Sequence, residues 1–204
     1  MTIHKEGYTS IALCILFIFV LNAFLQFYFP GAIVFKWIIY ILSFMFFLAT
    51  VLFFRNPAID VVSNEKMVLS PADGKILSVG ETEETEFLKG RRIQITIAIS
   101  PTDVHVNRNP VKGIVKYAST VKGQTTIAVE SGAGNTILLR QIAGLSKRVV
   151  AYVKEGDAVE QGAQFGFSML GSRVDVFLPI GTNIDVDVDD VVRSGQTVLA
   201  RFKS

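Results

Sequence analysis

The chain has 204 residues and a formal net charge of +2, and half of its residues are apolar. That length admits one or two domains, and the apolar share is high for a soluble protein. A single cysteine, Cys14, excludes an intrachain disulfide or a cysteine-based zinc site, and two histidines, His4 and His105, are too few for a histidine-rich metal centre, so no metal is expected.

The apolar excess lies at one end. Between Ile11 and Phe54 the only charged residue is Lys36. Two apolar stretches, residues 10–29 and 32–54, are separated by Pro30-Gly31. About 20 apolar helical residues span the hydrocarbon of a bilayer, and Pro-Gly marks a tight turn, so residues 1–55 are expected to form a helical membrane hairpin. A secretory signal would carry a shorter apolar core, about 7–15 residues, followed by a small-residue cleavage site, and nothing polar marks a water-facing side of a soluble core hairpin. Lys5 before the first stretch and Arg55 after the second place both ends, and the rest of the chain, on the cytoplasmic side of the cell membrane. Glu6 offsets Lys5, and Lys36 with Trp37 would sit at the opposite headgroup layer.

From Arg55 onward there are 18 Lys and Arg against 17 Asp and Glu, a balance that excludes the basic stripe of a nucleic-acid binder. Short runs rich in Val, Ile and Thr alternate with turn residues. They predict strands at 75–79, 92–99, 113–118, 125–130, 136–141, 148–153, 174–178 and 197–202, with one short helix around 142–147. Residues 56–204 are therefore expected to form a mainly β soluble domain, a sandwich or barrel. Val159-Glu-Gln-Gly-Ala-Gln-Phe-Gly166 weakly repeats in Val192-Arg-Ser-Gly-Gln-Thr-Val-Leu199. Lipoyl and biotinyl carrier domains use a similar lipoyl-like hairpin turn, and the plain local reading is a glycine supplying positive φ.

Three segments carry chemistry-bearing residues. Ser70-Pro-Ala-Asp-Gly-Lys75 reads locally as a turn before a strand. In Ile99-Ser-Pro-Thr-Asp-Val-His-Val-Asn-Arg-Asn-Pro110, polar residues crowd around His105, whose ordinary pKa of about 6.5 suits proton transfer. In Phe165-Gly-Phe-Ser-Met-Leu-Gly-Ser-Arg-Val-Asp-Val-Phe-Leu-Pro179, a Gly-Ser pair interrupts strand-like sequence, and there is no Gly-x-Ser-x-Gly elbow. Spacing alone makes Ser172 no nucleophile.

Together these segments, with Ala133-Gly-Asn-Thr and Gln141-Ile-Ala-Gly, resemble the phosphatidylserine decarboxylases in their short bacterial and archaeal form. The resemblance covers nearly all of 55–204. It implies a proenzyme that cuts itself between Gly171 and Ser172, giving a β chain of residues 1–171 and an α chain of residues 172–204. Ser172 becomes a covalent pyruvoyl group, which forms a Schiff base with phosphatidylserine and releases carbon dioxide and phosphatidylethanolamine in phospholipid biosynthesis. The two chains stay together as a heterodimer, and a higher oligomer is expected. Asp73 and His105 map to the family's catalytic Asp and His, in a Ser–His–Asp arrangement.

One position departs from the pattern. Longer members carry a second histidine three positions after the first, assigned to self-cleavage, and here that position is Arg108. His105 then serves both steps, or Arg108 stabilises an oxyanion. Headgroup phosphate contacts are expected from Arg108, Asn135 and Arg173, with Lys112 and the turn around Gly134 as further candidates. Three rivals remain: archaetidylserine as substrate, a soluble amino-acid substrate, which a membrane anchor disfavours, and a non-catalytic lipoyl-like module, which would need a modified lysine at a hairpin tip.

Overall fold

The computed structural model describes residues 2–61, 63–144, 149–168 and 172–203. The chain forms two compact units, Met1–Ala58 and Ile59–Ser204. The first holds helices α1 (Tyr8–Tyr28) and α2 (Ile33–Phe53), which pack side by side. Each has 21 residues, about 30 Å at 1.5 Å per residue, long and apolar enough to cross a membrane. Most of their large apolar side chains face outward, Phe19 and Phe27 among them. Lys36 folds back on the turn, donating to the Pro30 carbonyl at 3.0 Å and to Gln26 Oε1 at 3.2 Å. At the open end, strand β1 (Thr2–Ile3) pairs antiparallel with β2 (Arg55–Asn56) and clasps the hairpin.

The second unit is mainly β. Its strands are β3 (Met67–Leu69), β4 (Gly74–Glu84), β5 (Gly90–Ala98), β6 (Val106–Arg108), β7 (Gly113–Val121), β8 (Gln124–Ser131) and β9 (Thr136–Ile142), followed by β10 (Val149–Ala151), β11 (Ala158–Val159), β12 (Gln164–Ser168), β13 (Arg173–Leu178), β14 (Asn183–Ile184), β15 (Val191–Val192) and β16 (Val198–Arg201). Eight of them form one antiparallel sheet in the order β11-β7-β8-β9-β13-β5-β4-β15, which curls into a half-barrel. Two three-stranded sheets complete the unit, β10-β12-β6 and β14-β16-β3.

Alternation fixes which side chains enter the core. Val174, Val176 and Leu178 of β13 face Ile97, Ile95 and Ile93 of β5, and across the other edge Val174 and Val176 face Gln141 and Leu139 of β9. All of these but Gln141 are apolar and belong to or pack on one buried cluster with Phe165, Ile127 and Leu199. A period of two puts Ser172, two residues before Val174, on the same core-facing side.

The helix expected around 142–147 is not seen where residues are described: Ile142 closes β9, and Ala143 and Gly144 belong to no element. Residues 145–148 lie outside the described set. At Ala143 the backbone continues the ladder, its N–H donating to the Gly123 carbonyl at 2.8 Å, so strand pairing holds Ile142 and Ala143, which local pattern assigns to a helix. The two halves of the weak repeat are built alike. Val159 and Val192 each end a two-residue strand, Gly162 and Gly195 follow with φ of +77° and +69°, and β12 and β16 begin next. Each turn carries the chain from the large sheet into a small one. The turns meet, because a Cβ on Gly195 would lie 3.8 Å from the Gly162 Cα and 3.0 Å from Arg108 Cδ.

Candidate active site

The three sequence segments come together through backbone contacts. Ser172 immediately precedes β13, its carbonyl accepts from the Ile99 N–H at 3.0 Å, and Ile99 begins the histidine segment. At the end of β12, the Ser168 N–H donates to the His105 carbonyl at 2.9 Å, and β12 pairs with β6, setting Phe167 opposite Val106. The Pro-Ala-Asp-Gly turn joins from the other side, with the Arg108 N–H donating to the Pro71 carbonyl at 2.9 Å.

A residue that the sequence did not single out ties the first two segments together. Ser194, in the second repeat turn, donates its N–H to Asp73 Oδ1 at 2.8 Å. Its hydroxyl lies within bonding distance of the Pro71 carbonyl, 3.0 Å, and the Val106 carbonyl, 3.3 Å. The Arg-Ser-Gly of the repeat was its only sequence signal, and the pairing spans 121 residues.

Ser172 is 2% exposed, and its hydroxyl has no hydrogen-bond partner among the described residues. His105 is fully buried, its ring 6.1 Å from that of Phe167. Arg108 is 8% exposed and donates from Nη1 to the Gly162 carbonyl at 3.1 Å. Burial lowers its pKa, and the nearby Asp73 carboxylate pulls it back upward. A guanidinium starts so far above neutrality that it stays charged.

Three polar side chains cluster beside this group. Asn107 Nδ2 and Gln141 Nε2 both donate to Ser168 Oγ, the second at 3.4 Å. Asn107, Gln141 and Ser168 are all fully buried, and Asn107 Oδ1 and Gln141 Oε1 have no donor among the described residues. Gln141 and Ser168 were visible in sequence only as parts of motifs.

The other expected contacts are more scattered. Arg173 neighbours Ser172 in the chain, but its side chain is 52% exposed and lies 3.7 Å from Asp175. Lys112 forms an exposed pair with Glu160. Asn135 sits in the turn before β9, whereas Ser172 lies beyond that strand's other end, where Ile142 pairs with Arg173. The structure does not bring Asn135 to Ser172. Gly171 lies outside the described residues. Among the described residues, no group of three or more His, Cys, Asp or Glu could hold a metal.

The profile of the family described as phosphatidylserine decarboxylase matches residues 46–130 and 124–200. The chain belongs to that family. A phosphatidylserine decarboxylase proenzyme of Cytophaga hutchinsonii is 40% identical, with all of both chains covered. One from Porphyromonas gingivalis is 34% identical over 99% of each chain, and one from Amoebophilus asiaticus is 40% identical over 74% of this chain and 75% of its own. Among solved structures, glucose permease IIA from Mycoplasma capricolum has a TM-score of 0.43 at 20% identity, covering 66% of this chain and 93% of that one, a likeness too slight to carry an argument.

Proposed function

We propose that this chain is a phosphatidylserine decarboxylase that makes its own pyruvoyl group at Ser172 and converts phosphatidylserine to phosphatidylethanolamine and carbon dioxide. Full-length similarity to proenzymes of that name supports the activity. The observation that carries the site is the Ser172 hydroxyl, buried, without a partner among the described residues, and on a residue whose carbonyl is fixed by Ile99. A buried hydroxyl left unbonded costs stability, and a nucleophile awaiting the carbonyl of the preceding residue gives a reason to keep it.

In self-cleavage, Ser172 Oγ attacks the Gly171 carbonyl carbon, its proton passing to His105. The C–N bond breaks as the new C–O bond becomes an ester, and the amine takes a proton. Loss of the Ser172 Cα proton then expels the Gly171 carboxylate and leaves a dehydroalanine. Its enamine tautomerises, and water releases ammonia to leave the pyruvoyl group on an α chain of 172–204, paired with a β chain of 1–171. Strand β13 lies between β9 and β5, so the two chains remain a heterodimer after the cut, open to further oligomerisation.

The surroundings fit such a group: the position is buried and its backbone is held by the sheet on either side. When formed, the pyruvoyl group supplies an electrophilic carbonyl and an electron sink for decarboxylation. His105 moves protons to and from the reacting carbon. Asp73, held by Ser194, keeps the turn beside Arg108 in place, and Arg108 and Arg173 offer positive charge to the headgroup phosphate. The two apolar helices cross the membrane as a hairpin and keep the catalytic unit on its cytoplasmic side.

Intact-mass measurement of the purified protein tests this reading. Wild type should give two chains, the smaller with a ketone in place of its amino terminus, and Ser172→Ala should give one inactive chain. A fully active single chain of 204 residues would overturn it.

A further inference from the structure

Gln141 and Asn107 come together at Ser168 with one amide oxygen each that is buried and unbonded among the described residues. Both side chains turn their N–H₂ groups to the same acceptor, Ser168 Oγ, with the carbonyl end of each amide turned away. Among the described residues, neither buried carbonyl oxygen has a donor. Buried polar atoms are nearly always bonded, so two free acceptors in one cluster call for a donor that arrives later.

The cluster is built to hold this arrangement. A Cβ at residue 166 would lie 2.9 Å from Gln141 Nε2, 3.3 Å from its Oε1 and 2.6 Å from the Val150 carbonyl. Glycine at that position therefore admits the Gln141 amide and limits its movement. Asn107 comes from β6, directly opposite Gly166 in the ladder. Gln141 is the pairing partner of Val174, which puts it diagonal to Ser172 on the same face of neighbouring strands. Such diagonal positions lie about 7–8 Å apart at the backbone, within reach of a long side chain.

We infer that Gln141 Oε1 and Asn107 Oδ1 receive the amino group of the serine headgroup and present it to residue 172. This rests on the decarboxylase reading. Of the groups on a phosphoserine headgroup, the amine alone is rich in N–H donors; the phosphate and carboxylate are acceptors and would face these oxygens unfavourably. A site that hydrogen-bonds a polar group rejects an analogue lacking it far more strongly than an apolar pocket rejects a missing methylene.

The test uses the full-length enzyme in detergent with two short-chain lipids: phosphatidylserine, and its counterpart whose serine amine is replaced by hydrogen. Gln141→Leu and Asn107→Leu should each split normally by mass and raise KM for phosphatidylserine by about tenfold or more, while inhibition by the amine-free lipid stays within about twofold. Direct binding to the Ser172→Ala chain gives a second readout: its preference for phosphatidylserine over the amine-free lipid should disappear on adding Gln141→Leu. Gln141→Glu keeps oxygen acceptors at the site and should retain that preference. An equal weakening of both lipids, or unchanged KM with normal splitting, overturns the inference alone. A wild type that never splits at position 172 removes the decarboxylase reading and this inference with it.

Discussion

Strand β13 divides two polar clusters that differ in how completely their side-chain oxygens are bonded. On its outer face, Asp175 accepts from the Thr96 hydroxyl at 2.9 Å, and the neighbouring Arg140 donates to Glu84 at 2.9 Å and Glu86 at 3.0 Å while lying over the Phe177 ring. Both oxygens of Glu84 are bonded, one to the Glu86 N–H and Arg140, the other to the N–H groups of Phe87 and Leu88. At the inner end of the same strand, Ser172 Oγ, Gln141 Oε1 and Asn107 Oδ1 are buried with no partner among the described residues. A cluster whose charges are met by fixed donors contributes to stability. One with open valences costs stability and is retained for chemistry.

The sharpest way to break that contrast is at the inner end. His105→Ala should lower decarboxylation by about 10²–10⁴-fold, the usual weight of one general acid–base group, on protein that still unfolds cooperatively although the truncation of a fully buried ring lowers its unfolding temperature. Turnover assays on protein already confirmed as split would read the first, and thermal unfolding the second. Normal turnover would remove His105 from the mechanism. A large loss of stability with turnover kept would make it a core residue only.

Much of the fold could be read from sequence because strands announce themselves locally. The alternation in 92–99 and 174–178 anticipated β5 and β13 with ends shifted by only a residue or two. The glycine turns of the weak repeat were equally visible, since positive φ is a local demand. The site was legible only as segments. Motif order pointed to Asp73, His105 and Ser172, but nothing in sequence told that Ser194 would bond Asp73 or that Gln141 would lie diagonal to Ser172. Those relations follow from sheet register, which is set across the whole unit. Asn135 stands apart from Ser172 for the same reason: it precedes β9, and an extended strand carries the chain away from it. The Glu84–Arg140 pair, 56 residues apart, left no sequence signal at all.

The outer face should respond in the opposite sense to the inner one. Glu84→Gln keeps the shape but weakens the bonds to three N–H groups and Arg140, costing about 2–3 kcal/mol with turnover unchanged. For a domain of this size that is a fall of roughly 2–4 °C per kcal/mol. Burial pushes the Glu84 carboxyl up, but the three N–H groups and Arg140 outweigh it and hold its pKa below the usual carboxylate range. A depressed folded pKa means that the stabilisation is present above the unfolded value of about 4.3 and is lost as pH falls through the lower folded value. Wild type should therefore lose stability in acid more steeply than Glu84→Gln. Parallel acid-unfolding curves would show that Glu84 is not a source of that slope.

The smallest effect separates burial from geometry. Lys75 and Asp189 approach at 2.7 Å, closer than Arg140 and Glu84, yet their side chains are 53% and 75% exposed. Water already solvates both charges there, and holding them together costs side-chain entropy. Lys75→Met should shift stability by no more than about 0.5 kcal/mol, an effect that thermal unfolding at low and high salt would place near its detection limit. The lysine is the variant to choose, because Asp189 has a φ of +77° and any change there also alters backbone strain. If Lys75→Met cost as much as Glu84→Gln, distance between charges would set their worth, and the contrast between the two faces of β13 would have to be argued from contact geometry instead of solvent.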